Sequence, residues 1–321
     1  MFELKVSLYT ITYTGIWYAG KPLTIEEIIP KAKAMGYEGI EIAGKRPHAS
    51  PLDWDREKCR KVKELADSEN LPIVAFASYT NFASPIMEER ENELLMLREQ
   101  IKLASWLEAP IVRVFAAWMG TVLHNGHGTY DFSRHTWNYP GCTLQDRKNW
   151  VVECLREAVK WAEDYGVTLA LQTHGPVVRL GYEDTLDVVK QVGSKYLKIS
   201  LDIGLACFDQ FTQQSDEYIA KAVQACKDYI VHSHFNAKFE ETPEGKVVQV
   251  PYDMPGLTPP GGSIINYPAF IRELKKIGYR GYLSYEVCTP VVKGGKLQGI
   301  EEVDRLARLA VRYMKDLIEK A

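Results

Sequence analysis

The chain has 321 residues, 46% of them hydrophobic and 25% charged, which is enough apolar material for one large domain or two average ones. Its 39 Lys+Arg against 42 Asp+Glu give a formal net charge of -3, so it carries no electrostatic footprint for nucleic acid and no basic tract for a membrane surface. No run of about 18 apolar residues is present to span a bilayer, and the six cysteines form no CxxC pair and suggest no disulfide framework.

The opening MFELKVSLYT alternates apolar and polar residues and reads as a first strand rather than a signal segment, so a cytoplasmic protein with reduced thiols is expected. Short apolar or β-branched runs then recur: KVSLYTI (5–11), EGIEIAG (38–44), PIVAFAS (72–78), PIVRVFAA (110–117), VTLALQTH (167–174), LKISLDIG (197–204), YIVHSHFN (229–236) and GYLSYEV (281–287). Between them lie amphipathic segments at 25–37, 54–70, 98–109, 155–166, 186–193, 216–229 and 267–279, and a last one closes the chain at 302–321. Alternating strand and helix with short connections implies parallel pairing and right-handed crossovers. Eight such units predict a single (β/α)8 TIM barrel over residues 1–321. The rival, a doubly wound open sheet, wants a glycine-rich turn after the first strand, and TITYTGIWYAGKP has no GxGxxG.

Two connections are long, 118–146 after the fourth strand and 237–265 after the seventh. Both leave the C-terminal end of a strand, the active face of such barrels. The first holds Trp118, Tyr130, Trp137 and Tyr139, which suits a substrate wall. Its histidines, His124, His127 and His135, read as surface groups, and PPGGS (259–263) as the entry to the seventh helix.

Alternate residues of a barrel strand point inward. The fifth run ends in Gln172 and His174, the sixth carries Asp202, the seventh His232 and His234, and the eighth Glu286. Buried carboxylates are costly unless paired or coordinated. Carboxylate, imidazole and amide donors together favour Mn2+, with Mg2+ or Co2+ as alternatives, over a structural zinc. Taken singly, Asp202 also fits a helix cap, His232 a hydrogen-bonded core histidine, and Glu286 a partner for Arg113.

The order SLDIG, VHSHF, GGSIINY, GYRGYLSYE resembles the xylose-isomerase-like barrels of the sugar phosphate isomerase/epimerase group, including the ketose 3-epimerases. That resemblance implies one divalent ion held by Asp202, His234 and Glu286, and makes Glu41 the strand-2 glutamate that orients substrate or structure. Two positions depart from the pattern. Gln172 stands where the epimerases have a glutamate, and Leu205 where they have a histidine. An amide cannot act as a base at neutral pH, so a two-base proton exchange loses one partner.

LALQTHGP, SHFNAKFEE, YEVCTP and GIEEVDRLARLAVRYMKDLI look most like the α subunits of C-glycoside deglycosidases. That resemblance implies a metal-dependent lyase for a 3-oxo-glycoside, working beside a small β subunit. Glu286 or His174 would abstract the α-proton, and the enediolate would expel the aglycone. Gln172, Asp202, His234 and Glu286 would hold the metal, and Glu41, Arg113, Trp118, Trp137 and His232 would face the sugar or glycoside. The alternative is a keto-sugar isomerase or epimerase using the same enediolate. A catalytically silent sugar-binding barrel and a DNA-repair endonuclease are weaker alternatives, the latter wanting more strand-end histidines and a basic groove.

Overall fold

The computed structural model describes residues 4–118, 120–124, 126–130, 141–174, 181–204, 215–251 and 261–321. The first third of the chain supplies β1 (Lys5–Tyr9), α1 (Ile25–Met35), β2 (Gly39–Ala43), α2 (Arg56–Ser68), β3 (Ile73–Ala77), α3 (Met87–Trp106) and β4 (Ile111–Val114). After β4 comes a hairpin of β5 (Thr121–His124) and β6 (His127–Tyr130), then α4 (Leu144–Tyr165), β7 (Thr168–Gln172), α5 (Tyr182–Val192), β8 (Leu197–Ser200), α6 (Asp216–Cys226) and β9 (Ile230–Phe235). A second hairpin, β10 (Lys238–Glu241) and β11 (Val247–Val250), precedes α7 (Tyr267–Lys276), β12 (Tyr282–Tyr285), the short β13 (Val292–Lys293) and β14 (Lys296–Leu297), and α8 (Ile300–Lys320).

Eight parallel strands close in the order β1-β12-β9-β8-β7-β4-β3-β2, and the molecule is a single (β/α)8 TIM barrel. The open sheet is excluded by the pairing that shuts the ring, Lys5 to Leu8 of β1 against Tyr282 to Tyr285 of β12. Ser7 and Ser284 share a hydrogen bond of 2.7 Å across that seam.

Local signals place the helices. Thr24 and Glu27 form a capping box at the start of α1, which ends at Gly36 in the left-handed conformation (φ 94°). Ile25, Ile28, Ile29 and Ala32 form the buried stripe of α1, as their spacing predicts. Three helices start well before their apolar spacing suggests, α5 by one turn at Tyr182 and α3 and α4 by more. α3 begins at Met87, through the mostly polar MEERENE, and α4 begins at Leu144 behind the capping box of Thr143 and Asp146. The connection after β4 is therefore partly hairpin and partly helix.

Candidate metal centre

Strand alternation sends His232 and His234 of β9 to the same interior side, beside Glu41 of β2. Glu41 Oε2 accepts from His232 Nε2 at 2.9 Å and from His234 Nε2 at 2.8 Å, and all three residues are buried. A carboxylate only accepts, so each ring carries a proton on Nε2, and in the neutral ring Nδ1 keeps its lone pair. His234 Nδ1 then points at Glu286 Oε2, 3.8 Å away, and at Gln172 Nε2, 3.3 Å away. Tyr9 stacks on the His234 ring, with centroids 5.3 Å apart.

Asp202 lies two residues beyond the end of β8. Its backbone is tied to β7 by two bonds, Asp202 N–H to Thr173 Oγ1 and Thr173 O–H to the Asp202 carbonyl. Gln172 Nε2 donates to Asp202 Oδ2 at 3.1 Å. Glu286 follows β12 directly, and its backbone N–H reaches Phe235 O on β9. Asp202, His234 and Glu286 each offer a donor atom, and these atoms lie within 4.8 Å of one another. One divalent ion with bonds of about 2.0–2.6 Å spans such a gap.

The electrostatics show a site short of positive charge. Burial pushes the Asp202 carboxyl up to about 7, against the pull of His234, and the Glu286 charge adds to the rise. Burial works against a charged His234, yet Glu41 and Glu286 outweigh it and hold that imidazole above its ordinary value. Burial likewise opposes an ionised Glu41, but His234 and His232 keep it well below the usual carboxylate range. Gln172 Oε1 is buried with no hydrogen-bond partner among the described residues. Two carboxylates and an imidazole nitrogen are a donor set that suits a divalent cation; Gln172 turns its Nε2 toward Asp202 and His234, and a half-turn of the amide would bring the unpartnered Oε1 there instead, so the residues present fit the expected metal. Glu41, His232 and His234 also lie within 4.8 Å of one another. Their facing atoms are already hydrogen-bonded to one another, so this group holds the His234 ring in place rather than offering free donor atoms.

Above the donors lies a narrow cavity of about 30 Å³ as the described residues leave it, lined by Gln172, His174 and Glu286 on one side and by Tyr79, Phe115 and Trp118 on the other. Trp118 stacks on Phe115 (4.9 Å, 18°) and meets Tyr130 edge-on (5.6 Å), while His174 stands edge-on to Phe115 (4.7 Å). Tyr130 O–H donates to Cys288 O and joins the hairpin to the end of β12.

The structure thus brings Gln172, Asp202, His234 and Glu286 to one point. It places His174 and Trp118 on the cavity wall and Glu41 and His232 below it. Arg113 lines the cavity floor but does not pair with Glu286; its Nε lies 3.8 Å from Glu41 Oε1, and its other nitrogens donate to Ser78 O and Tyr9 Oη. Trp137, Tyr139, His135 and Leu205 lie outside the described residues. Lys45 and Tyr79 are wall residues that the motifs did not flag. Both follow strand ends, β2 and β3, so the rule that found Gln172 would have found them.

A family model described as xylose isomerase-like TIM barrel matches residues 29–317. Fructoselysine 3-epimerase of Shigella flexneri is 25% identical over 313 residues, covering 92% of this chain and 97% of that protein. D-psicose 3-epimerase from Clostridium cellulolyticum H10, solved with D-tagatose, superposes with a TM-score of 0.68 at 18% identity, over 98% of this chain and 99% of the other. The 3-keto-D-glucoside 4-epimerase of E. coli gives 0.66 at 17% identity, over 97% and 99%. At these identities the structural likenesses speak for the fold alone. The family match spans most of the chain and both hairpins, and with the closed barrel it establishes that this protein belongs to the xylose isomerase-like TIM barrel family.

Proposed function

We propose that this protein is a metal-dependent keto-sugar isomerase or epimerase that works through an enediolate. The observation that carries the reading is the convergence of Asp202, His234 and Glu286 donors within 4.8 Å at the C-terminal end of the barrel strands, where Glu286 and Gln172 line a cavity. The relatives named above are epimerases, which supports this reading over the elimination that the sequence motifs suggested.

When bound, a divalent ion (Mn2+ by expectation, Mg2+ or Co2+ as alternatives) polarises a ketone and acidifies the neighbouring C–H. Glu286, on the cavity surface, is positioned to take the α-proton. His174, on the same wall, would return one to the face it left, which serves a keto-sugar isomerase, while inversion at that carbon would take a donor from the opposite wall. Gln172 transfers no proton and contributes an amide dipole. The stacked Phe115 and Trp118 shield the enediolate from water. Glu41 holds the His234 ring in register.

Exchange of substrate C–H for deuterium in D2O, with free ketoses and metal-loaded enzyme, tests the reading. Chelation is expected to stop exchange and added Mn2+ to restore it. Glu286→Gln is expected to slow exchange by about 10^2 to 10^4-fold. Unchanged exchange after complete metal removal would sink the proposal.

Gln172 favours a second reading, cleavage of a 3-oxo-glycoside by elimination in company with a small β subunit. One base suffices for that reaction, and the aromatic wall suits a flat aglycone. Aglycone release from a 3-oxo-glucoside, with no solvent exchange into free ketoses, would select it.

A further inference from the structure

The cavity wall holds a charged group that the metal chemistry leaves unused. Lys45 stands two residues past β2, at the same end of the barrel as Gln172, and lines the cavity with His174 and Glu286. Its amine sits 3.7 Å from the centre of the Tyr79 ring and 5.6 Å from that of Trp118. Among the described residues it has no carboxylate and no hydrogen-bond acceptor; its partners are ring faces, which compensate a cation only in part. Arg113, the other cation of the wall, is already engaged by Ser78, Tyr9 and Glu41. The backbone before Lys45 is pinned. Gly44 donates to Ala77 O at 2.8 Å, and a Cβ on Gly44 would meet Phe76 at 2.4 Å and that same carbonyl at 2.7 Å. Burial, helped by the like charge of Arg113, pushes the Lys45 amine down to about 7, as expected for an ammonium lacking a counter-charge.

Building on the keto-sugar reading of the metal site, we propose that Lys45 is a specificity residue for an anionic substituent of the substrate, a carboxylate or a phosphate. Lys45 contacts the aromatic wall and no metal-donor side chain. The anion it holds therefore belongs to the part of the keto-sugar that meets the Tyr79 and Trp118 side of the cavity. A compact ammonium with three donors accepts either oxyanion without the fixed geometry of a guanidinium.

The test uses D-fructose, D-fructuronate, D-fructose 6-phosphate and inorganic phosphate as probes of the metal-loaded protein. Binding is measured by calorimetry, and the reactivity of Lys45 by limited acetylation and peptide mass spectrometry. At least one charged sugar is expected to bind on the order of ten-fold more tightly than D-fructose. The same sugar, or inorganic phosphate, slows Lys45 acetylation by a like factor while D-fructose does not. Fructuronate alone doing so assigns a sugar acid; the phosphate ester alone assigns a sugar phosphate. Lys45→Met removes the preference and Lys45→Arg restores most of it. The protection assay uses the unaltered chain, so it stands even if a variant misfolds. Equal affinities together with unprotected Lys45 would overturn the proposal and leave Lys45 as packing for Tyr79. Deuterium exchange into D-fructose separates the two ideas. Exchange without protection defeats the anion site alone, and protection without exchange into any of the sugars defeats the keto-sugar reading alone.

Discussion

One oxygen atom, Glu41 Oε2, serves two histidines. It sets both tautomers and so fixes which nitrogen of His234 faces the donors. Glu41→Gln replaces an acceptor-only group with one that also donates, and the Nε2–H bonds lose their charge-assisted partner. Metal affinity is expected to fall about 10 to 100-fold, read by competition with a chromogenic chelator. Asp202 makes a separate prediction. Its folded value, about 7, lies above its ordinary 3.8. A raised carboxyl contributes stability that is fully present below the unfolded value and lost as pH rises through the folded one. On this account the chelated protein melts lower at pH near 8 than near 5, and the gain on adding metal grows over the same interval, because the ion displaces the proton. Asp202→Asn carries no such charge. Chelated, it is expected to be more stable than chelated wild type near pH 8 by about 1–3 kcal/mol, with no gain on adding metal. Equal pH profiles for the two chelated proteins would refute the assignment. The donors were legible because two-residue spacing at strand ends is a strong signal. The Gln172 amide orientation was not, since an amide's two faces differ only in the partners the fold supplies. Nor was the engagement of Arg113 by Glu41 and Tyr9, which depends on three strands far apart in sequence.

At the scale of elements, the strands fell where the apolar runs lie, but Asp202, His174 and Glu286 sit just beyond the last paired residue. Helix starts were less legible. The first turns of α3 and α4 are mostly polar and, Arg147 apart, turned toward solvent, so periodicity reports only their packed portions. The capping box TLQD marks the true start of α4, and its Thr143 Oγ1 accepts from Asp146 N–H at 3.1 Å. Thr143→Ala is expected to cost about 1 kcal/mol in urea unfolding. A change below a tenth of that would show that tertiary packing alone sets this end.

For the whole molecule, closure depends on the first and last elements meeting. Asp304 of α8 accepts from Tyr13 O–H at 2.7 Å and pairs with Lys31 of α1, while Tyr37 O–H donates to Ala307 O. Asp304→Ala leaves Tyr13, a buried ring, without its acceptor, and is expected to cost about 1–3 kcal/mol in one cooperative urea transition. The eightfold rhythm made the barrel readable, whereas the clamp between α1 and α8 pairs residues some 270 positions apart and left no local trace. The strand order carries a last consequence. Gln172, Asp202, His234 and Glu286 come from the contiguous arc β7, β8, β9 and β12, while Tyr9, Lys45, Tyr79 and Phe115 hang from β1 to β4 on the opposite arc. Under the proposed function, ion-holding and substrate selection would draw on two different half-rings, joined where Glu41 of β2 meets His234, so substitutions on the β1–β4 arc would retune substrate choice while the other arc keeps its chemistry.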